Sequence, residues 1–117
     1  MKFSARASAA AVLLGSAASQ AQMQGVSKTE ILVGTNQDLS GPITAFGKQS
    51  RNGMQLRVDE INEQGGIHGR KVKLLVEDAG YDPKRAVRSA QKLVNQDKMF
   101  LMAGHIGTVH NNAAMPV

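Results

Sequence analysis

The residues best suited to chemistry on a small molecule lie in the turn Gly104-His105-Ile106-Gly107-Thr108. Its two glycines let the backbone approach a ligand closely. A helix starting after the turn would aim unpaired N–H groups, and its positive dipole end, at an anion such as a carboxylate. Thr108 can cap that helix or give its hydroxyl to the same anion, and a capped turn with no ligand fits the spacing equally well. Phe46 is one of four aromatic residues, with Phe3, Tyr81 and Phe100, and it follows a Gly41-Pro42 loop. It is either the wall of an apolar pocket or a core residue, and Tyr81 faces the same choice.

The remaining reactive side chains do not assemble into a catalytic set. His105 and His110 are five apart across a turn-to-helix junction, with no Cys or carboxylate near them in sequence, so a metal site lacks ligands. Glu77 and Asp78 are adjacent in an expected strand and point to opposite faces, which prevents them from acting as an acid–base pair. His68, in Gly-Ile-His-Gly-Arg, is a turn residue. No nucleophile elbow, phosphate-binding P-loop or G-x-G-x-x-G occurs, and Gly34-Thr35-Asn36-Gln37-Asp38 is not a dinucleotide fingerprint. A non-enzymatic binding module without cofactor or metal is therefore expected.

Alternating elements would hold these residues in place. Glu30–Thr35, with its Ile31-Leu32-Val33 core, is expected to be a strand buried on both faces. From about Ala45 to Gln64, Met54, Val58 and Ile61 recur at helical spacing, and Gly65-Gly66 ends the helix. Gly53 inside it costs about 1 kcal/mol relative to Ala, which suggests close packing against a neighbouring backbone. Lys71–Asp78 is the second strand, and Asp82-Pro83 supplies an N-cap and first residue for a second helix. Ala86, Val87, Ala90, Leu93 and Val94 form its apolar face. Lys98–Ala103 makes a third strand, and Val109–Met115 the first turns of a third helix. This alternation predicts an α/β fold, a doubly wound parallel sheet with helices on both faces. Ligands of such sheets bind beyond the carboxyl ends of the strands, where three loops lie: 36–44, 79–82 and 104–108.

The first 21 residues carry a targeting pattern. Lys2 and Arg6 precede a small-residue apolar stretch, Ala7–Ala18, and Ser19-Gln20-Ala21 offers a cleavage site. The stretch is too short and alanine-rich for a membrane span. Residues 1–21 are thus expected to be a signal peptide and 22–29 a flexible segment, with the folded part at 30–117. Loss of Lys2 and Arg6 lowers the net charge from +5 to +3, 12 Lys and Arg against 9 Asp and Glu. Such a small, scattered excess does not suit nucleic acid. With no cysteine there is no disulfide, thiolate ligand or lipid-modified cysteine. The mature product should be soluble. The series stops a few residues into the third helix, as expected of part of a longer protein.

Four segments together resemble the exported type I periplasmic binding proteins of the leucine/isoleucine/valine-binding branch, the solute receptors of ABC importers. They are Leu39-Ser40-Gly41-Pro42 with Phe46-Gly47, Asn52-Gly53 through Asp59-Glu60-Ile61-Asn62 to Gly65-Gly66-Ile67-His68-Gly69, Glu77-Asp78 through Asp82-Pro83-Lys84-Arg85-Ala86, and Gly104–Thr108. The resemblance implies part of the first of two lobes that close on a ligand. It implies a periplasmic receptor that binds a branched-chain amino acid or related small carboxylate and delivers it to an ABC transporter permease. Thr108 would bond the carboxylate, helped by the backbone at Ile106 and Gly107. Phe46 would meet the ligand's side chain, and Ser40 with Gly41 would shape the cleft rim. Some relatives join the second and third loops by a disulfide, where this chain has Tyr81 and Gly107. An extracellular sensory or regulatory domain of the same fold is the alternative, and neighbouring genes would separate the two.

Overall fold

The computed structural model describes residues 22–117, and the stretch expected to be a signal peptide lies outside them. Strands and helices alternate as β1 (Glu30–Gln37), α1 (Thr44–Glu63), β2 (Lys71–Asp78), α2 (Pro83–Gln91), β3 (Leu101–Met102) and α3 (Thr108–Ala114). Between α2 and β3 the helix continues as a π-helical turn, Lys92–Gln96. The strands are parallel in the order β2-β1-β3, with β1 and β2 in register from Glu30–Lys71 to Gln37–Asp78. The expected α/β parallel sheet is the one observed.

Helices cover both faces of β1, as the alternation of its side chains shows. Gln37 lies against the Met54 sulfur of α1 and donates to the Thr35 hydroxyl two residues back, so both side chains point to the α1 face. Asn36 donates to the Ala86 carbonyl of α2 on the opposite face. Gly34 shares that second face, and the Met99 sulfur fills the space a Cβ would take there, with the Leu93 side chain beside it. The buried apolar core is small: Val72, Ala79, Ala86, Ala90, Leu93 and Met99.

Local chemistry sets the element ends. Asp82 accepts from the Arg85 N–H at 2.7 Å and Pro83 takes the first helical position, so α2 begins where the sequence places it. α1 stops at Gly65, whose φ of +100° a side chain would oppose. Gly66 then donates to the Ile61 carbonyl at 2.8 Å and Gly65 to that of Asn62, closing the helix end. The Asn62 amide makes two 2.8 Å bonds with the Val72 backbone, which ties α1 to β2, a strand at the sheet's edge.

Four local expectations change. β1 runs on to Gln37, because its last residues are polar yet still paired with β2. β3 contains only Leu101 and Met102, since Lys98 turns the chain into the left-handed region just before it. Gly53 faces open space rather than a neighbouring backbone. The close approach occurs at Gly47, where a Cβ would overlap the Asp38 carbonyl. Residues 22–29 are tied to the sheet: Leu32 donates to Gly25 at 2.8 Å, and the Gln24 amide donates to the Val94 and Met99 carbonyls.

Candidate functional site

The carboxyl end of β1 organises all three loops at that edge of the sheet. Thr35, Asn36 and Gln37, with Asp38 just after them, are 0–2% exposed, an unusual run of polar side chains in a core. Burial without partners would be costly. Asn36, Gln37 and Asp38 are each bonded to a different part of the edge, and Thr35 accepts from Gln37. The Asn36 and Gln37 side-chain oxygens have no hydrogen-bond partner among the described residues. Asn36 holds α2 through the Ala86 carbonyl at 3.2 Å, and its own carbonyl accepts from Ile106 in the third loop. Gln37 donates to the Gly104 carbonyl at 2.6 Å, fixing the start of that loop. Asp38 turns into the first loop.

The first loop is built around that carboxylate. Asp38 accepts backbone N–H bonds from Ser40, Gly41 and Ile43, and these three bonds shape the Ser-Gly-Pro turn. Asp78, at the end of β2, performs the same service from the side. Its Oδ1 accepts from the Leu39 and Gly80 N–H groups at 2.9 Å, and its Oδ2 from the Ser40 hydroxyl at 2.6 Å. The Arg85 guanidinium reaches Oδ2 at 3.0 Å and the Asp78 carbonyl at 3.1 Å. Burial pushes the Asp78 carboxyl up, but the Ser40 hydroxyl, the two backbone N–H groups and Arg85 together hold it below its ordinary value. The first and second loops touch directly, with no room for a Cβ between Gly41 and the Gly80 carbonyl.

The third loop is held differently. Gly104 sits against Met54 of α1, and the Ser50 hydroxyl lies 3.4 Å from its carbonyl. Phe46, Ser50 and Met54 are four apart along α1, so Phe46 stands on the face that touches this loop, one turn nearer the sheet's carboxyl edge. At the far end of the loop, Gly107 (φ +109°) occupies the N-cap position of α3, and no side chain caps the helix. Thr108 is the first helical residue and is exposed. It does not cap, and among the described residues its hydroxyl has no hydrogen bond. Tyr81 of the second loop packs edge-on against the buried His110 ring of α3, with centroids 5.2 Å apart.

The residues expected at the site thus separate into two groups. Phe46, 63% exposed, and Thr108 present unengaged side chains at the carboxyl edge, with Ile106 and Gly107 between Gly104 and α3. Ser40 lies at the same edge, but its hydroxyl is committed to Asp78. Asn36, Gln37, Asp38, Asp78 and His110 are the organising residues that sequence patterns did not single out as such. For Asn36, Gln37 and Asp38 the signal is the abrupt change from Ile-Leu-Val to Thr-Asn-Gln-Asp within one strand and its exit. Among the described residues no group of three His, Cys, Asp or Glu could hold a metal ion, and no helix is long and apolar enough to cross a membrane.

Residues 30–117 match the family model described as periplasmic binding protein. The chain is 44% identical over 89 residues to the Leu/Ile/Val-binding protein BraC3 of Rhizobium johnstonii, covering 75% of this chain and 23% of that protein. Among solved structures, a fatty acid ABC transporter substrate-binding protein from Thermomonospora curvata aligns with a TM-score of 0.77 and 32% identity, over 81% of this chain and 24% of that one. The branched-chain amino acid transporter substrate-binding protein of Streptococcus pneumoniae, solved with isoleucine, aligns at 0.72 and 34%, over 76% and 25%. The chain therefore spans about a quarter of the length of these relatives. It belongs to the periplasmic binding protein family, type I, on the leucine/isoleucine/valine-binding branch.

Proposed function

From that membership we propose that the chain forms one wall of a cleft that binds a branched-chain amino acid or a related small carboxylate for an ABC importer. The observation that carries the reading is the pairing of unengaged Thr108 with exposed Phe46 at one edge of the sheet. The Ser40 hydroxyl at the same edge is already committed to the scaffold. A carboxylate takes hydrogen bonds from the Thr108 hydroxyl and the Gly107 N–H, while Ile106, whose own N–H is turned to the Asn36 carbonyl, shapes the turn and the apolar remainder of the ligand lies on Phe46. Support comes from the ligands named for two relatives: isoleucine and a fatty acid both join a carboxylate to an apolar body. Ser40 and Gly41 shape the rim. Residues 1–21 direct export, the periplasm is the working compartment, and the receptor delivers its ligand to a permease.

The test is calorimetric titration of the full-length protein with isoleucine, leucine, valine and short fatty acids, each beside its primary amide. The reading expects binding of at least one acid and a loss of tenfold or more for the amide, as when a charge-assisted bond is lost. Equal affinity for acid and amide, or no binding by any acid, would remove it.

A further inference from the structure

We propose that His110 is the positioning residue of the carboxylate-binding turn, holding Ile106 and Gly107 in place by a hydrogen bond from its imidazole. The inference rests on the binding role proposed for that turn. His110 lies in α3, is fully buried, and has its Nε2 at the Ile106 carbonyl. A carbonyl only accepts, so this nitrogen must carry the proton. Nδ1 is then the bare nitrogen, and it is buried with no hydrogen-bond partner among the described residues. The neutral Nε2–H tautomer satisfies the carbonyl and leaves no second N–H to be buried unpaired.

Two further contacts fix the ring. Gly107 lies flat against it, and a Cβ at that position would overlap the imidazole. Tyr81 meets it edge-on from the second loop, an arrangement favoured by the charge distribution of aromatic rings. The ring therefore stands between the second loop and the turn and links them without a covalent bond. Its effect on the ligand is indirect. With the Ile106 carbonyl held by His110 and the Ile106 N–H directed at the Asn36 carbonyl, the backbone at Ile106-Gly107 has one orientation. The turn need not be ordered when ligand arrives, which is how preorganisation raises affinity.

The experiment compares His110→Phe, which keeps an aromatic ring for Tyr81, with His110→Gln, whose Nε2 amide can reach the same carbonyl. Both are made in the full-length protein, and carboxylate affinity is measured by calorimetry beside thermal unfolding. His110→Phe should bind about tenfold more weakly or worse, the size of one lost buried hydrogen bond. His110→Gln should recover to within about threefold of wild type at similar affinity enthalpy, because the donor is restored. Wild-type affinity in His110→Phe, or equal weakness in both variants, overturns the proposal. Nitrogen NMR of the wild-type imidazole gives a readout that needs neither a variant nor a ligand. The Nε2–H tautomer is expected, and Nδ1–H would contradict the bond to Ile106. If wild type binds no carboxylate while the Nε2–H tautomer is present, the binding role fails and the His110–Ile106 bond survives.

Discussion

The first and third loops occupy the same edge of the sheet and are held in opposite ways. The first, from Asp38 to Thr44, has its backbone N–H groups pinned by two carboxylates, Asp38 beneath and Asp78 beside. The third, from Gly104 to Thr108, is fixed at its ends by Gln37 and His110, and the helix it opens has no side-chain cap. A loop whose donors are satisfied internally is rigid scaffold. One that keeps donors and a hydroxyl unengaged can offer them to a ligand. On the binding role proposed above, the first loop gives shape and the third recognition.

The largest expected effect is on the scaffold side. Asp38→Ala removes the acceptor of three partly buried backbone N–H groups and should cost about 3 kcal/mol or more of stability, measured by denaturant unfolding. A loss below 1 kcal/mol would mean that the first loop is not built around this carboxylate. Gly47→Ala comes next. The added methyl meets the Asp38 backbone, so a loss of about 1–3 kcal/mol is expected from overpacking. A neutral result would show that α1 can move away from the loop.

Asp78→Asn tests the lateral brace and gives a pH signature. The Asp78 pKa is lowered in the folded protein, so its contribution is fully present above the unfolded-state value, ordinarily 3.8. The contribution disappears as pH falls through the lower folded-state value. The stability gap between wild type and Asp78→Asn, about 1–2 kcal/mol at neutral pH, should therefore be flat above about pH 5 and narrow below pH 4. A gap independent of pH down to acid unfolding would place the brace elsewhere. The smallest effect has the opposite sign. Gly53→Ala, in open space on α1, should stabilise by up to about 1 kcal/mol, and a loss there would reveal a contact the fold does not show.

Much of the architecture was legible in sequence because it depends on local rules. The Asp82-Pro83 start, the Gly65-Gly66 stop and the apolar spacing of α1 and α2 all act within a few residues, and each appears where expected. The ordered motifs were enough to place the chain in its family. What stayed hidden depends on contacts across the chain. Gly53 and Gly47 look alike in sequence, and only the path of Asp38 over α1 makes one of them necessary. Ser40 looks like an available hydroxyl until Asp78, 38 residues away, takes it. His110 reads only as half of a histidine pair without further ligands, because nothing local reports that Tyr81 and the Ile106 carbonyl enclose it. The polar end of β1 was visible, but its meaning lay in partners as far off as Gly104.

The division between a shaping loop and a recognising loop is tested most directly by Thr108→Ala in the full-length protein, titrated calorimetrically with the carboxylate ligand that wild type binds best. Thr108 is exposed and carries no internal bond among the described residues, so the thermal midpoint should not move while affinity falls by about 1–3 kcal/mol. Unchanged affinity would contradict the assignment of recognition to the third loop.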